Sequence, residues 1–369
     1  MKAKISKVIF CHKSHNGVIG GLPMCDNRIH VALKKCFENV VEIDFKPDRS
    51  SFANFFDKVS YKFNQISNHY DDDTLEKIRK EILEPDETLL FISHSVYGNI
   101  EKKIKQKYPT ITICTFFHNE EFDVVRLRWK RQKNIGNIID AVCRYFNEKL
   151  VSNYSDYIFL LNQRDKNLFF RYYGTRDVVL LPFTLVDKCP NLYINKNLKR
   201  ELKLLFVGTY FYGNVEGVRR FVKEVAPFIS ADFYVVGNQM DKLKEELPQS
   251  DNVYYVGRVT DEQLYHYYIE SDIVIAPVVV GGGMKTKVVE AMMYGKPVIG
   301  TTESFQGYEE YIEKVGFCCD EIKSFKKYID LMDKDRERLF ELSMQSRQTF
   351  VDFFSNEKTV EVIKNTFSI

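Results

Sequence analysis

A single tryptophan, no C-x-x-C pair and a net charge of only +2 mark this chain of 369 residues. Each lack excludes something. The eight cysteines are scattered, and the one adjacent pair, Cys318-Cys319, cannot point to the same face of a strand. They read as reduced, mostly buried thiols of a cytoplasmic protein. The seven histidines are scattered too and form no H-E-x-x-H, so no structural or catalytic zinc is expected. The small net charge gives no argument for nucleic acid. No apolar run approaches the about 20 residues of a membrane span, and Val8-Ile9-Phe10 is too short for a signal sequence. What remains is ordinary: 44% hydrophobic and 28% charged residues, enough for two soluble cores at this length. The 22 tyrosines and 29 phenylalanines read as core packing.

What is present is a repeated order of short apolar strand, turn and amphipathic helix. Strands are predicted at Val8–His12, Val40–Phe45, Thr88–His94, Ile111–His118, Tyr157–Asn162 and Val178–Phe183. A second series follows at Lys203–Val207, Asp232–Val236, Val253–Val256, Ile273–Ala276, Pro297–Thr301 and Gly316–Cys319. Several are continuous apolar runs, which suit parallel strands covered on both faces. The expected class is α/β, with two Rossmann-like doubly wound domains facing a cleft. Residues 1–184 form the first domain, 185–201 a linker without clean periodicity, and 202–345 the second. The end, 346–369, is expected to be helical and to cross back to the first domain.

The most informative segment is 273–301, IVIAPVVVGGGMKTKVVEAMMYGKPVIGT. An apolar strand runs into Gly281-Gly282-Gly283, and a helix follows with Val288, Ala291 and Met292 on one face. Gly295 and Pro297 end it. Glycines admit a ligand close to the backbone, and a helix's first turn offers unpaired N–H groups to an anion. Lys285, Thr286 and Lys287 add charge and a hydroxyl, and Glu290 lies a turn further in, placed to accept from two vicinal ribose hydroxyls. A Walker A loop fails because Met284 precedes Lys285, and the dinucleotide fingerprint lacks its third glycine.

This segment resembles the donor-site signature of the retaining glycosyltransferases of family four, E-G-F-G-L-x-x-x-E-A-M-x-x-G-x-P-V, which have the two-domain GT-B fold. Gly283, Glu290, Ala291, Met292, Gly295, Pro297, Val298, Gly300 and Thr301 fit it. The resemblance implies that Glu290 binds the nucleotide ribose and that the turn through Lys285–Lys287 meets the diphosphate. The first Glu of the signature falls on Gly282, as in a glycine-rich branch of the family. Gly208, after the first strand of the second half, and Arg258, beside the expected base pocket, complete this side with Gly282, Gly283 and Met284.

The first half carries a weaker signal. Residues 17–28, GVIGGLPMCDNR, resemble the family's G-G-x-x-x-R entry, so Gly20 and Gly21 are donor-side candidates. His118-Asn119-Glu120 is similar to the H-N-x-E of some relatives, and His118 and Glu120 are the catalytic candidates. The run RLRWKRQK at 126–133 has five basic residues around the one tryptophan, and suits anionic lipid head groups or a lipid diphosphate.

The resemblance implies a glycosyltransferase that needs no cofactor beyond its nucleotide-sugar donor, UDP-sugar favoured, and no metal. The acceptor is expected to be a glycan or lipid-linked glycan in cell-surface polysaccharide synthesis. The expected location is cytoplasmic, with peripheral contact at the inner membrane face and no nucleic-acid partner. Two rival readings stay open because Gly282 replaces a glutamate. They are an epimerase or hydrolase of the same fold, and a non-catalytic nucleotide-sugar or glycan-binding scaffold.

Overall fold

Apolar runs become strands at each predicted place. The computed structural model describes residues 4–13, 21–45, 72–131, 133–192 and 200–369. Among these, twelve strands form two six-stranded sheets. The first has β1 (Lys7–Lys13), β2 (Val40–Phe45), β3 (Thr88–Ile92), β4 (Thr112–Phe117), β5 (Tyr157–Leu160) and β6 (Val179–Leu180). The second has β7 (Lys203–Val207), β8 (Asp232–Val236), β9 (Val253–Gly257), β10 (Ile273–Ala276), β11 (Val298–Gly300) and β12 (Gly316–Cys318). All neighbouring pairs in both sheets are parallel. β3 and β10 are buried at every residue, as their unbroken apolar runs require. β6 is shorter than predicted because Pro182, which has no N–H, follows it.

Backbone contacts divide the chain into two units, Met1–Pro182 with Thr359–Ile369, and Phe183–Lys358. The first sheet runs β2-β1-β3-β4-β5-β6. Helices α1 (Gly21–Cys36), α2 (Asp72–Glu81), α3 (Gly98–Lys107), α4 (Glu121–Arg131), α5 (Ile135–Tyr154) and α6 (Gln163–Tyr173) belong to this unit. Its cores gather Ile9, Leu90, Ile92, Ile100 and Ile113 in one cluster and Phe117, Val151, Leu160 and Phe169 in another.

The second sheet runs β12-β11-β10-β7-β8-β9, so its order reverses between β7 and β10. Strand ends at such a reversal diverge and leave a crevice for ligands. Helices α7 (Tyr212–Glu224), α8 (Asp261–Glu270), α9 (Thr286–Met293), α10 (Ser324–Lys334) and α11 (Arg336–Thr349) belong here. Phe221 of α7 packs on Phe233 of β8 and Phe325 of α10, with ring centroids 4.5 and 6.0 Å away. Residues 183–192 join this unit because Arg347 donates to Asp187 at 3.1 and 2.6 Å, and to the Cys189 carbonyl at 2.8 Å. A π-helical turn (Phe350–Phe354) leads into α12 (Asn356–Phe367). From Thr359 onward α12 counts with the first unit: Arg28 donates to Thr359 at 3.2 Å, and the Phe367 ring lies 5.1 Å from that of Tyr157.

One packing contact fixes the crevice of the second unit. A methyl group at Gly217 of α7 would lie 1.8 Å from the Pro277 carbonyl, and one at Gly213 would lie 2.0 Å from that of Val280. Helix α7 therefore rests directly on the backbone that leaves β10. Gly217→Ala is expected to lower stability by about 1–3 kcal/mol, the usual cost of overpacking. Urea denaturation measures this, and an unchanged midpoint would mean that α7 can shift freely from the loop.

Candidate functional site

Two helix starts and one glycine run meet at the reversal in the second sheet. Helix α9 begins at Thr286 with no side-chain cap and no acid in its first turn. Helix α7 begins at Tyr212 in the same state. Uncapped, acid-free first turns hold the positive end of the helix dipole open to an anion. Gly283 has φ +58°, a left-handed backbone that bends the chain into α9. Met284 is buried, and its sulfur accepts from the Phe183 amide at 3.4 Å, which anchors the turn.

The two lysines of this turn have different surroundings. Lys285 donates to the Gly283 carbonyl at 2.9 Å and to Glu303 at 2.8 Å. Lys287 is only 6% exposed. It donates to Asn214 at 2.8 Å and lies 4.0 Å from the centre of the Phe206 ring. Among the described residues it has no carboxylate in ion-pair range. Burial first, and the Lys285 charge second, bring it down to about 7. Gly208 lies beside it, so a methyl there would come 3.1 Å from the Lys287 nitrogen. One turn along α9, Glu290 accepts from the buried Tyr268 hydroxyl at 3.0 Å. Burial lifts the Glu290 carboxyl above its ordinary range, against the opposing hydrogen bond from Tyr268. A positive, uncapped helix start with a carboxylate one turn in can hold a diphosphate and the ribose attached to it.

The first unit has a second cluster, at the ends of β3 and β4. His118 lies 3.1 Å from Asp26 of α1, and Ser93 lies 3.1 Å from the same ring nitrogen. Ser93 also donates to Asp26 at 2.5 Å, and Arg28 donates to the Cys25 sulfur at 3.3 Å. Burial alone lowers His118, but Cys25 and Asp26 outweigh it and hold the imidazole up to about 10. Burial raises Cys25, yet the Arg28 and His118 charges bring the thiol below its usual value. The resulting imidazolium is a proton donor and a positive contact. Glu120 is 1% exposed, and among the described residues neither of its oxygens has a hydrogen-bond partner. Burial, then Glu148 and Asp165, push it well above the carboxylate range, so it stands protonated.

The structure thus gathers Gly208, Gly283, Met284, Lys285, Thr286, Lys287 and Glu290 around one helix start. Gly282 is exposed in the same turn, and Arg258 is exposed in the loop after β9. Gly21 opens α1, while Gly20 lies outside the described residues. His118 and Glu120 are both buried in the first unit, and only His118 sits in the cluster with Asp26. Sequence reasoning missed Tyr268, Glu303, Asp26 and Ser93. Tyr268 and Glu303 come from separate elements far along the chain and no spacing signals them. Asp26 precedes the expected Arg28 by two residues and was within sight of the glycine motif.

Residues 201–333 match the family model described as Glycosyl transferases group 1. A relative from Methanocaldococcus jannaschii, named an uncharacterized glycosyltransferase, is 22% identical over 235 residues. That match spans 60% of this chain and 57% of the relative. Two solved structures share the fold. A sucrose-phosphate synthase from Thermosynechococcus elongatus has a TM-score of 0.74 at 14% identity, covering 98% of each chain. Anabaena HepE in complex with UDP has a TM-score of 0.68 at 14% identity, covering 98% of this chain and 99% of its own. The architecture is that of the GT-B glycosyltransferases.

An anion at the α9 start would hold Lys287 charged. Since its free value is about 7, binding above that pH takes up a proton. Affinity for inorganic pyrophosphate should therefore fall above about pH 7, by up to about tenfold per unit, and level off below it. Calorimetry in buffers of different ionisation enthalpy reads the proton, and Lys287→Met should abolish its uptake. The same affinity from about pH 6 to about pH 9 would remove Lys287 from the anion site.

Proposed function

We propose, from the match of residues 201–333 to the family model described as Glycosyl transferases group 1, that this protein is a retaining glycosyltransferase. It moves a sugar from a nucleoside-diphosphate sugar to a glycan or lipid-linked glycan in cell-surface polysaccharide synthesis. One observation carries the reading: buried Lys287 and half-buried Glu290 stand one turn apart on an uncapped helix at the sheet reversal. Lys287 and the first-turn amides take the diphosphate, and Glu290 takes the ribose. Negative charge grows on the diphosphate as the sugar–phosphate bond breaks, so these groups favour the transition state over the bound donor. UDP is the first nucleotide to test, because the similar Anabaena HepE was solved with it. In the first unit, His118 with Asp26 supplies the proton donor or positive contact on the acceptor side, and Glu120 is a protonated acid beside it in sequence.

The lipid-linked acceptor has its own support. Among the described residues, no helix is long and apolar enough to cross a membrane. Yet α5 exposes Ile135, Ile138, Val142 and Phe146, which recur at helical spacing along one face. Phe146 is 53% exposed and Ile135 75%. A cavity of about 550 Å³, lined by Trp129, Ile138, Val142 and Phe146 among others, opens between α4 and α5. Arg128, Lys130 and Lys133 are exposed beside it. An apolar stripe flanked by cations is the composition of a surface that rests on anionic lipid, where each cation contributes about 1 kcal/mol.

Thermal shift with UDP, GDP, CMP, ADP and their sugars tests the donor site. A ligand at a hundred times its dissociation constant stabilises by about 2.7 kcal/mol. One nucleotide should shift the wild type, and Glu290→Ala should lose the shift; no shift with any nucleotide overturns the reading. For the lipid face, co-sedimentation with phosphatidylglycerol vesicles should exceed that with phosphatidylcholine. The paired change Ile138→Asp and Phe146→Asp should abolish it, and equal recovery of wild type and variant would dismiss the face.

A further inference from the structure

The edge of the first sheet carries a cluster that the glycosyl-transfer reading does not use. Among the described residues, one set of side chains brings three ligand atoms within 4.8 Å of one another: His12, Glu42 and Asp44. Adjacent parallel strands place them. His12 of β1 pairs in register with Asp44 of β2, and Glu42 lies two residues before Asp44, so both carboxylates leave the same face. Helix α1 adds His30, whose Nδ1 stands 3.5 Å from the second oxygen of Glu42. The two imidazoles flank Phe10, at 5.2 and 5.3 Å between ring centroids, and this packing fixes their planes.

The hydrogen bonds fix the chemistry further. Nδ1 of His12 lies 3.1 Å from the Lys13 carbonyl oxygen. A carbonyl only accepts, so Nδ1 carries the hydrogen. Nε2 then faces Glu42 at 2.6 Å and Asp44 at 3.1 Å. A single hydrogen on Nε2 aligns well with one carboxylate, not two. A divalent ion attracts all three groups at once. An imidazole whose other nitrogen donates to a backbone carbonyl is also the usual state of a metal-bound histidine. The side chains of Glu42 and Asp44 are 45% and 49% exposed, which gives an ion a way in from solvent.

We propose that His12 Nε2, Glu42 and Asp44 form a binding site for a divalent transition-metal ion, with Zn²⁺ the best match to one nitrogen and two oxygens. His30 orients Glu42 from behind, and solvent takes the remaining position. Such an ion would tie edge strand β2 to β1 beside α1. The expectation of no zinc rested on spacing along the chain; here the ligands come from two strands about thirty residues apart.

Titration of Zn²⁺ into full-length protein dialysed against chelator tests this, followed by calorimetry. The wild type should bind one equivalent. Asp44→Asn and Glu42→Gln change half-exposed side chains and should preserve the fold by circular dichroism, yet each should weaken binding by about tenfold or more. Co²⁺ should develop visible absorption in the wild type and not in His12→Gln, while the exposed His266→Gln should behave as wild type. A wild type that binds no equivalent of Zn²⁺, or carboxylate variants that bind as tightly as it does, would reduce the cluster to an imidazolium ion pair and overturn the proposal.

Discussion

Lys287 gives up most of its water to lie over the Phe206 ring and donate to Asn214. Burying an ammonium without an anion is costly, and the cost appears as a value brought down to about 7. Three nearby glycines give this placement its room. Gly208 leaves room at the end of β7, and Gly213 and Gly217 let α7 settle on the segment that brings α9 into place. An anion placed beside Lys287 would recover part of that cost.

The two units solve opposite electrostatic problems. In the second, Lys287 has no carboxylate in ion-pair range among the described residues. In the first, His118 is already matched by Asp26 and by the Cys25 sulfur, which hold it charged within the protein. Glu120 differs from both, since its oxygens have no hydrogen-bond partner among the described residues and burial favours its neutral form. A neutral acid and a charged imidazole near the ends of parallel strands give this unit proton donors of unequal strength. Its surface is as uneven, with an apolar stripe and exposed cations on neighbouring helices α4 and α5.

Much of the fold was legible along the chain. Unbroken apolar runs such as TLLFI and IVIA suit a strand buried on both faces, and both became one. The glycine run and the amphipathic helix behind it located the turn and the uncapped helix start because backbone conformation and helix dipole are local properties. Strand ends were less legible: Ser93 and His94 were expected within β3, but they leave it to meet Asp26 of α1 and His118 just past β4. The register of side chains across strands was not legible at all, and His12 with Glu42 and Asp44 appears only once β1 and β2 pair.

The sequence by itself determined the alternation of strand and helix, the glycine-rich turn, and the positions of Lys287 and Glu290 one helical turn apart. These follow from periodicity and from what each residue permits its own backbone to do. Only the tertiary structure decided that Lys287 is buried and Lys285 ion-paired, although they are two residues apart in one turn. It also decided that Tyr268 holds Glu290, that Glu303 brings a carboxylate to the glycine run, and that Asp26 charges His118. The physical reason is that charge state depends on desolvation and on neighbours within a few ångströms, and those neighbours arrive from elements far apart in the chain.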